Sequence, residues 1–156
     1  DGPEAYALLH GLVKTKGSER ADISIKLRHA SPDCQSEQIF KALADDRSQA
    51  SFQGTVYVDR DAQRTAARQS NKNILLSREA SVNSRPQLEI LADDVKCSHG
   101  SATGRLDEKA LQFLRTRGLS QDAARRLLIR AFAGEMLLPL PEAPLRERID
   151  ALLGGE

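Results

Sequence analysis

The first hundred residues carry short apolar bursts separated by longer polar intervals. In "ISIKL" apolar and polar positions alternate, which places Ile23, Ile25 and Leu27 on one face of a strand. The burst centres recur roughly every 14 to 19 residues, a spacing typical of successive strands or coils of a β structure. The other bursts are YALLHGLV from Tyr6, QIFKAL from Gln38, TVYV from Thr55, NILLS from Asn73 and QLEIL from Gln87. We therefore predict a β region over residues 1–104.

Two β architectures fit this spacing. In a meander or sandwich the neighbouring bursts pair antiparallel, whereas in a β-solenoid they lie parallel above one another and the polar intervals form the corners. The intervals are long and lack the Asn-Gly or Asp-Gly dipeptides of tight hairpins, which favours the solenoid. The interval DAQRTAARQ, which begins at Asp61, also fits a short amphipathic helix.

After Gly104 the apolar period becomes that of helices. A first helix is expected to end near Gly118 in a left-handed cap, and a second to run from an N-cap at Ser120 to about Leu138. The sequence PLP at 139–141 stops the second helix, and a third precedes the final glycines. The residues predicted to face inward are Leu106, Ala110, Phe113 and Leu114, then Ala124, Leu127, Leu128, Ala131 and Phe132, then Leu145, Ile149, Leu152 and Leu153. Residues 105–156 are thus predicted to form a three-helix domain.

Length and charge narrow the class of protein. The 156 residues suit one core with an appendage, and because the chain begins at Asp1 without a methionine we expect a fragment of a longer protein. The 23 basic and 22 acidic residues are well mixed, which argues against a nucleic-acid partner. Two cysteines are too few for a disulfide-stapled domain, and the apolar runs are too short to cross a membrane. The expected compartment is the cytoplasm.

The stretch KCSHG holds the most suggestive side chains. On a strand, Val95, Cys97 and His99 share one face, and a thiolate sulfur or an imidazole nitrogen can bind iron, zinc or copper. A closed zinc site requires four ligands, so spacing alone favours Cys97 as a small buried side chain and His99 as a strand-end hydrogen-bonding residue. No nucleophile elbow or zinc-protease motif accompanies them, and we expect the chain not to be an enzyme.

The remaining candidate residues have structural interpretations. His29 and Cys34 lie in LRHASPDCQS, where the proline predicts a corner after a strand. Together with His10, these residues could contribute to a metal site only if folding brings them close to Cys97 and His99. The stretch GSATGRLDE lacks the lysine of a phosphate loop, so Gly100 and Gly104 are predicted to form the turn from a strand to a helix.

The helical half carries a set of arginines with two interpretations. Such a set is most often a solvated face, and the alternative is a docking surface for an acidic partner. The residues are Arg115, Arg117, Arg125, Arg126 and Arg130.

Beyond these patterns, the stretch RPQLEILADDVKCSHGSATGRLDEKALQFLRTRGLS closely resembles the SufB/SufD family of iron–sulfur cluster assembly proteins, and most of all the C-terminal portion of its SufD branch. The segments HASPDCQSEQIFKAL, SFQGTVYV and AARRLLIRAFAGEML extend the resemblance over nearly the whole chain. The resemblance implies right-handed parallel β-helix coils followed by a C-terminal helical domain. It also implies a non-catalytic scaffold of the SUF system, which pairs with a SufB-like subunit through the β-helix end and docks a SufC-like ABC ATPase through the helical domain.

The same resemblance implies site residues. His99 matches the histidine of the family's CSHG motif, which the family places at the SufB–SufD interface, where it holds a nascent iron–sulfur cluster together with a SufB cysteine. Cys97 matches the motif cysteine, whose role is less defined. The cluster is transient in the full complex, and no tightly bound cofactor is expected. The ATPase-docking candidates are Arg115, Arg117, Arg126 and Arg130.

The family's earlier coils are missing from this sequence, so an unpaired first coil is expected. The chain either tolerates that edge or covers it by forming a homodimer. An alternative function is a β-solenoid protein-interaction module in which His99 has no ligand role.

Overall fold

The computed structural model describes residues 2–136 and 143–154, and the chain divides into two compact units, Asp1–Gly104 and Arg105–Glu156. The first unit contains the strands β1 (Tyr6–Thr15), β2 (Arg20–His29), β3 (Gln35–Ala44), β4 (Gln49–Val58), β5 (Ala66–Leu75), β6 (Ser81–Ile90) and β7 (Lys96–Arg105). The second contains the helices α1 (Glu108–Thr116), α2 (Gln121–Gly134) and α3 (Ala143–Gly154). Among the helices in the described ranges, none is long and apolar enough to cross a membrane.

The strands stack into two sheets, in the orders β1-β3-β5-β7 and β2-β4-β6. The pairs β1 with β3, β3 with β5, β2 with β4 and β4 with β6 are all parallel, and Tyr6, Gln35 and Ala66 occupy equivalent positions. Each coil takes two strands and about 30 residues. The predicted fold class, a β-solenoid followed by C-terminal helices, is confirmed. The antiparallel meander is wrong because these pairs are parallel. The expectation that each burst of the solenoid lies above the previous one is also wrong, because the paired strands are two apart in sequence.

The interval from Asp61 is not a helix. Its first residues form a corner, and the backbone enters β5 at Ala66, from which inward and outward side chains alternate. Ala67 and Gln69 are buried while Arg68 is exposed, so the period is two rather than that of a helix.

The interior of the coils combines stacked aromatic rings with an aliphatic cluster. Phe40 of β3 and Phe52 of β4 lie with ring centroids 5.0 Å apart and are 5% and 3% exposed. The predicted inward side chains of β2 are half-buried while the alternate ones are exposed, as the period of two requires. Towards the last coil the cluster consists of Val56, Val58, Ala62, Ala67 and Ala92, with Leu88, Val95 and Cys97 packed against it.

Corners of the same conformation repeat from coil to coil. Glu4, Asp33 and Arg64 precede equivalent strands and adopt φ values of 60°, 61° and 58°. The Glu4 N–H donates to the Pro32 carbonyl, and the Asp33 N–H donates to that of Gln63. Because these bonds satisfy the corner backbone across coils, they offset the strain of left-handed residues that are not glycine.

The passage from the solenoid unit to the first helix differs from its prediction. Gly100 and Gly104 do not form a turn, since both lie inside β7, which extends through Arg105. The chain leaves the strand at Leu106, and Asp107 caps α1 by accepting the N–H groups of Lys109 and Ala110.

The predicted helix caps are present. Gly118 follows α1 with φ of 93°, and the Ser120 hydroxyl accepts the Ala123 N–H at the start of α2. Helix α2 ends at Gly134, earlier than the predicted Leu138. Leu138 and the PLP sequence at 139–141 lie outside the described residues.

The predicted inward faces of the helices are partly wrong. Phe113 is 57% exposed, Leu127 is 46% exposed and Ala131 is also exposed. In α2 the buried residues are Ala124, Ile129 and Ala133, because the packed stripe lies one position further around the helix than predicted. In α3, Ile149 is half-buried and Leu153 is buried, while the side chains of Leu145 and Leu152 lie outside the description.

Candidate functional site at the last coil

Strand β7 carries the CSHG motif at the edge of its sheet. Cys97 packs against the aliphatic cluster, and the Ser101 hydroxyl donates to the Ser84 hydroxyl of β6 across the interior at 2.8 Å. The Thr103 hydroxyl accepts from the buried Asn73 amide at 3.2 Å. His99 lies two residues from both Cys97 and Ser101, so the period of two places it on the same inward-facing side of β7. It is nevertheless exposed, because β7 is the terminal strand of its sheet.

Cys97 is the less available of the two motif side chains. It is half-buried, and this burial raises the pKa of its thiol, an effect that a backbone hydrogen bond at Ala67 partly opposes. A raised pKa favours the protonated thiol, which is a weaker metal ligand and nucleophile than the thiolate. Cys97 is therefore mainly a packing residue, and the exposed His99 is the more accessible of the two side chains.

A ladder of polar side chains lies inside the solenoid behind the motif. Gln38 and Gln69 are 0% and 2% exposed, and the Gln69 Nε2 donates to the Gln38 Oε1 at 3.0 Å. The buried Asn71 and Asn73 continue the polar interior of β5, where the Asn73 Nδ2 donates to the Asn71 Oδ1 at 2.7 Å. Among the described residues, three atoms of this group find no hydrogen-bond partner, namely Gln38 Nε2, Gln69 Oε1 and Asn73 Oδ1.

Each buried polar atom without a hydrogen-bond partner destabilises the fold by about 1–3 kcal/mol, because the atom has lost its hydration. Sequence reasoning missed the ladder because glutamine and asparagine are usually surface residues. A signal was available, since Gln69, Asn71 and Asn73 alternate with period two along β5.

The other sequence-predicted candidates lie elsewhere. His29 ends β2 and Cys34 directly precedes β3, so both sit at a corner two coils from β7, roughly 10 Å along the stack. The buried His29 Nε2 is 2.8 Å from the Ser36 hydroxyl, and the Cys34 thiol is 3.3 Å from the Gly2 carbonyl. His10 lies on β1, at the opposite edge of the sheet from β7. Folding therefore does not bring these residues to the CSHG motif.

A metal-binding cluster is not observed within the part of the chain that the structure describes. Across residues 2–136 and 143–154, no group of three or more histidine, cysteine, aspartate or glutamate side chains could hold a metal ion. Cys97 and His99 offer two donor atoms at the open end of the solenoid.

The helical unit presents a mixed basic and apolar surface. Arg115, Arg117, Arg126 and Arg130 are all exposed, and the Arg117 guanidinium lies 5.2 Å from the centre of the Phe113 ring. A groove where α1 meets α2 is lined by Glu108, Leu111, Gln112, Arg115, Thr116, Gly118, Leu119, Ser120 and Gln121.

The fold and the motif together define a class of protein, a parallel β-solenoid whose terminal strand presents a Cys-Ser-His-Gly sequence at its open end. Comparison with known families gives that class a name. The sequence model described as "SUF system FeS cluster assembly, SufBD core domain" matches residues 1–132. The chain therefore belongs to the SufBD family, and the predicted family resemblance is confirmed.

Individual relatives support the same assignment. The chain is 35% identical over 154 residues, 99% of its length, to the iron–sulfur cluster assembly protein SufD of Escherichia coli K12, of which it covers 36%. It is 44% identical over 126 residues, 81% of its length, to the SufBD family protein slr0076 of Synechocystis, of which it covers 27%. It is 36% identical over 148 residues, 94% of its length, to the chloroplastic protein ABCI7 of Arabidopsis thaliana, of which it covers 31%. The chain thus spans about a third of the length of these relatives.

Proposed function

We propose that the chain is the C-terminal part of a SufD-like scaffold subunit for iron–sulfur cluster assembly in the cytoplasm, and that His99 contributes one ligand to the nascent cluster. The observation that carries this proposal is the position of His99, which is exposed on the inward-facing side of the terminal strand in a chain of the SufBD family. The cluster is the cargo of this reaction rather than a resident cofactor.

The edges of the last coil support pairing with a SufB-like subunit. Strands β6 and β7 end the two sheets, so their outer backbone groups can pair with strands of another chain. Ile90, the last residue of β6, is exposed, and the following Leu91 is 65% exposed. The last coil therefore has apolar surface that a partner could bury. A partner that adds strands here would enclose His99 at the seam.

The chemistry of His99 suits a cluster that must be passed on. A neutral imidazole binds iron through one nitrogen without adding negative charge. Histidine in place of cysteine also raises the reduction potential of an iron–sulfur centre. Cys97 and His99 offer at most two donors, so the remaining ligands would come from the cluster's own sulfide and from a cysteine of the SufB-like partner. Because Cys97 packs against the aliphatic cluster while His99 is exposed, His99 is the principal ligand in this proposal.

The helical unit would dock the SufC-like ABC ATPase. Its exposed arginines, Arg115, Arg117, Arg126 and Arg130, can pair with carboxylates of a partner. The exposed Phe113 and Leu127 supply apolar contact area of the kind found at the centres of interfaces. Nucleotide-driven movement of the ATPase would then reach the cluster seam through this chain.

The ligand role is tested with His99→Ala in the complex of the full-length protein with SufB-like and SufC-like subunits. We expect the rate of cluster assembly, followed by cluster absorbance without oxygen, to fall roughly 10-fold or more. Ser98→Ala is the matched control, because Ser98 is exposed on the opposite face of the same strand. Wild-type assembly by the His99→Ala complex would overturn the ligand role.

The interaction-module alternative is favoured by one observation, the free edges of β6 and β7. In that function His99 is a contact residue, and His99→Ala would reduce binding of the SufB-like or SufC-like subunit. A pull-down separates the two functions, since a cluster ligand can be removed while both partners are still retained.

A further inference from the structure

We propose that Gln69 is a positioning residue for His99: its side-chain carbonyl accepts one imidazole N–H and leaves the other ring nitrogen free to bind iron. This inference rests on the proposed ligand role of His99. It concerns a buried residue inside the solenoid, one coil behind the open end.

The direction of the glutamine ladder provides the first argument. The Gln69 Nε2 donates to the Gln38 Oε1 at 3.0 Å, so the amide donors point towards the first coil. At the other end the Gln69 Oε1 is buried and has no hydrogen-bond partner within residues 2–136 and 143–154. In amide ladders each carbonyl accepts from the residue at the same position in the next strand. The ladder is therefore incomplete by one donor on the side of β7.

The register of β7 identifies the residue that stands at that position. The Lys96 N–H donates to the Thr65 carbonyl at 2.9 Å, just as the Ala66 N–H donates to that of Cys34 one coil earlier. Lys96 thus takes the place of Ala66 in the next coil, and His99 takes the place of Gln69. The bond between Asn73 and Thr103, four positions further along both strands, has the same offset.

The spacing of the strands makes the bond feasible. Neighbouring strands are about 4.8 Å apart, and side chains at equivalent positions on one face lie within hydrogen-bonding reach. The exposed imidazole can rotate about its side-chain bonds to direct one N–H towards the Gln69 carbonyl.

The surroundings of Gln69 keep its amide in place. A Cβ atom on Gly54 would clash with the Gln69 Nε2 and lie 2.6 Å from the Phe52 ring, so the glycine at position 54 leaves the room that this amide occupies. A fixed acceptor suits the task, because metal-ligating histidines commonly donate their second N–H to a carbonyl or carboxylate, which sets the tautomer.

The test measures the tautomer of His99 directly by proton–nitrogen correlation spectra of the labelled protein at about pH 8. We expect one tautomer of His99 in the wild type, and a mixture resembling that of the urea-unfolded chain in Gln69→Met, which keeps the side-chain length but removes the carbonyl. Gln53→Met is the control, since Gln53 is exposed on β4. The wild-type spectrum alone remains decisive if Gln69→Met fails to fold, because a mixture of tautomers in the folded wild type overturns the proposal.

A second measurement separates this inference from the ligand role. Cluster assembly by the Gln69→Met complex is expected to slow by about 10- to 100-fold. An unchanged tautomer ratio in folded Gln69→Met overturns the positioning role, whatever the effect of His99→Ala. A changed ratio combined with normal assembly by His99→Ala overturns the ligand role and leaves the hydrogen bond established.

Discussion

The solenoid unit and the helical unit treat their large apolar side chains in opposite ways. In the solenoid Phe40 and Phe52 stack inside the coils and are almost fully buried, whereas in the helical unit Phe113 and Leu127 are about half exposed. Stacked coils cover one another, so each strand contributes to a shared interior. Among the described side chains of the three short helices few are buried, including Ala124, Ile129 and Ala133 of α2, and Phe113 and Leu127 remain exposed. The units therefore differ in how completely they bury their largest apolar side chains.

Truncation of one phenylalanine in each unit should show this difference most strongly. Phe52→Ala removes a buried ring stacked on Phe40, and we expect it to lower the free energy of unfolding by about 3–5 kcal/mol. Phe113→Ala removes an exposed ring that contacts Arg117, and we expect it to lower the free energy of unfolding by less than about 1 kcal/mol. Urea titrations followed by circular dichroism measure both. Equal losses would contradict the contrast in burial.

Glycine-to-alanine substitutions test whether the tight packing is confined to the inner coils. Gly54→Ala brings a methyl group against Gln69 and Phe52, and we expect a loss of about 1–3 kcal/mol from overpacking. Gly104→Ala, at the end of β7, meets no atom within 4 Å and should change the stability little. The shift of the urea midpoint measures each effect. A midpoint for Gly54→Ala as high as that of the wild type would show that the interior can accommodate a side chain at position 54.

The same difference between the units explains which features could be predicted from the sequence. On a strand the period of two leaves one choice of face, so the inward positions of Ile23, Ile25 and Leu27 were predicted correctly. On a helix the apolar face can be assigned one position to either side, and the prediction that placed Phe113 and Leu127 on the inward face was wrong. The parallel pairing was favoured by the absence of tight-hairpin dipeptides, but the long polar intervals form the corners only in part, since residues 66–72 belong to β5.

The candidate site was predictable only in part. The CSHG motif identified Cys97 and His99 as candidate residues, and the period of two along a strand placed both on the same face of β7. The unequal burial of the two residues depends on their neighbours in three dimensions, since Cys97 packs against the aliphatic cluster while His99 is exposed. The glutamine ladder depends on which residues share a column across coils, which requires the register of β3, β5 and β7.

The smallest expected effect concerns pH and acts only on the solenoid unit, because all three histidines, His10, His29 and His99, precede residue 105. Burial lowers the pKa of His29 below its ordinary value of 6.5. The unfolded chain therefore takes up this proton first as the pH falls. His29 stabilises the fold above about pH 6.5, and that contribution is lost progressively as the pH falls towards the lower pKa of the folded state.

Unfolding midpoints in urea between about pH 7.5 and pH 5 should therefore decrease more steeply for the wild type than for His29→Gln, which cannot take up this proton. Gln53→Met is the control: Gln53 is exposed and its replacement leaves all three histidines in place, so we expect the wild-type slope to remain. Other protonating groups are common to all three proteins and cancel in the comparison. Because His29 lies against Ser36 at a corner between coils, a flatter slope in His29→Gln would assign the acid sensitivity to the stacking of the solenoid. Parallel slopes in His29→Gln and the wild type would contradict that assignment.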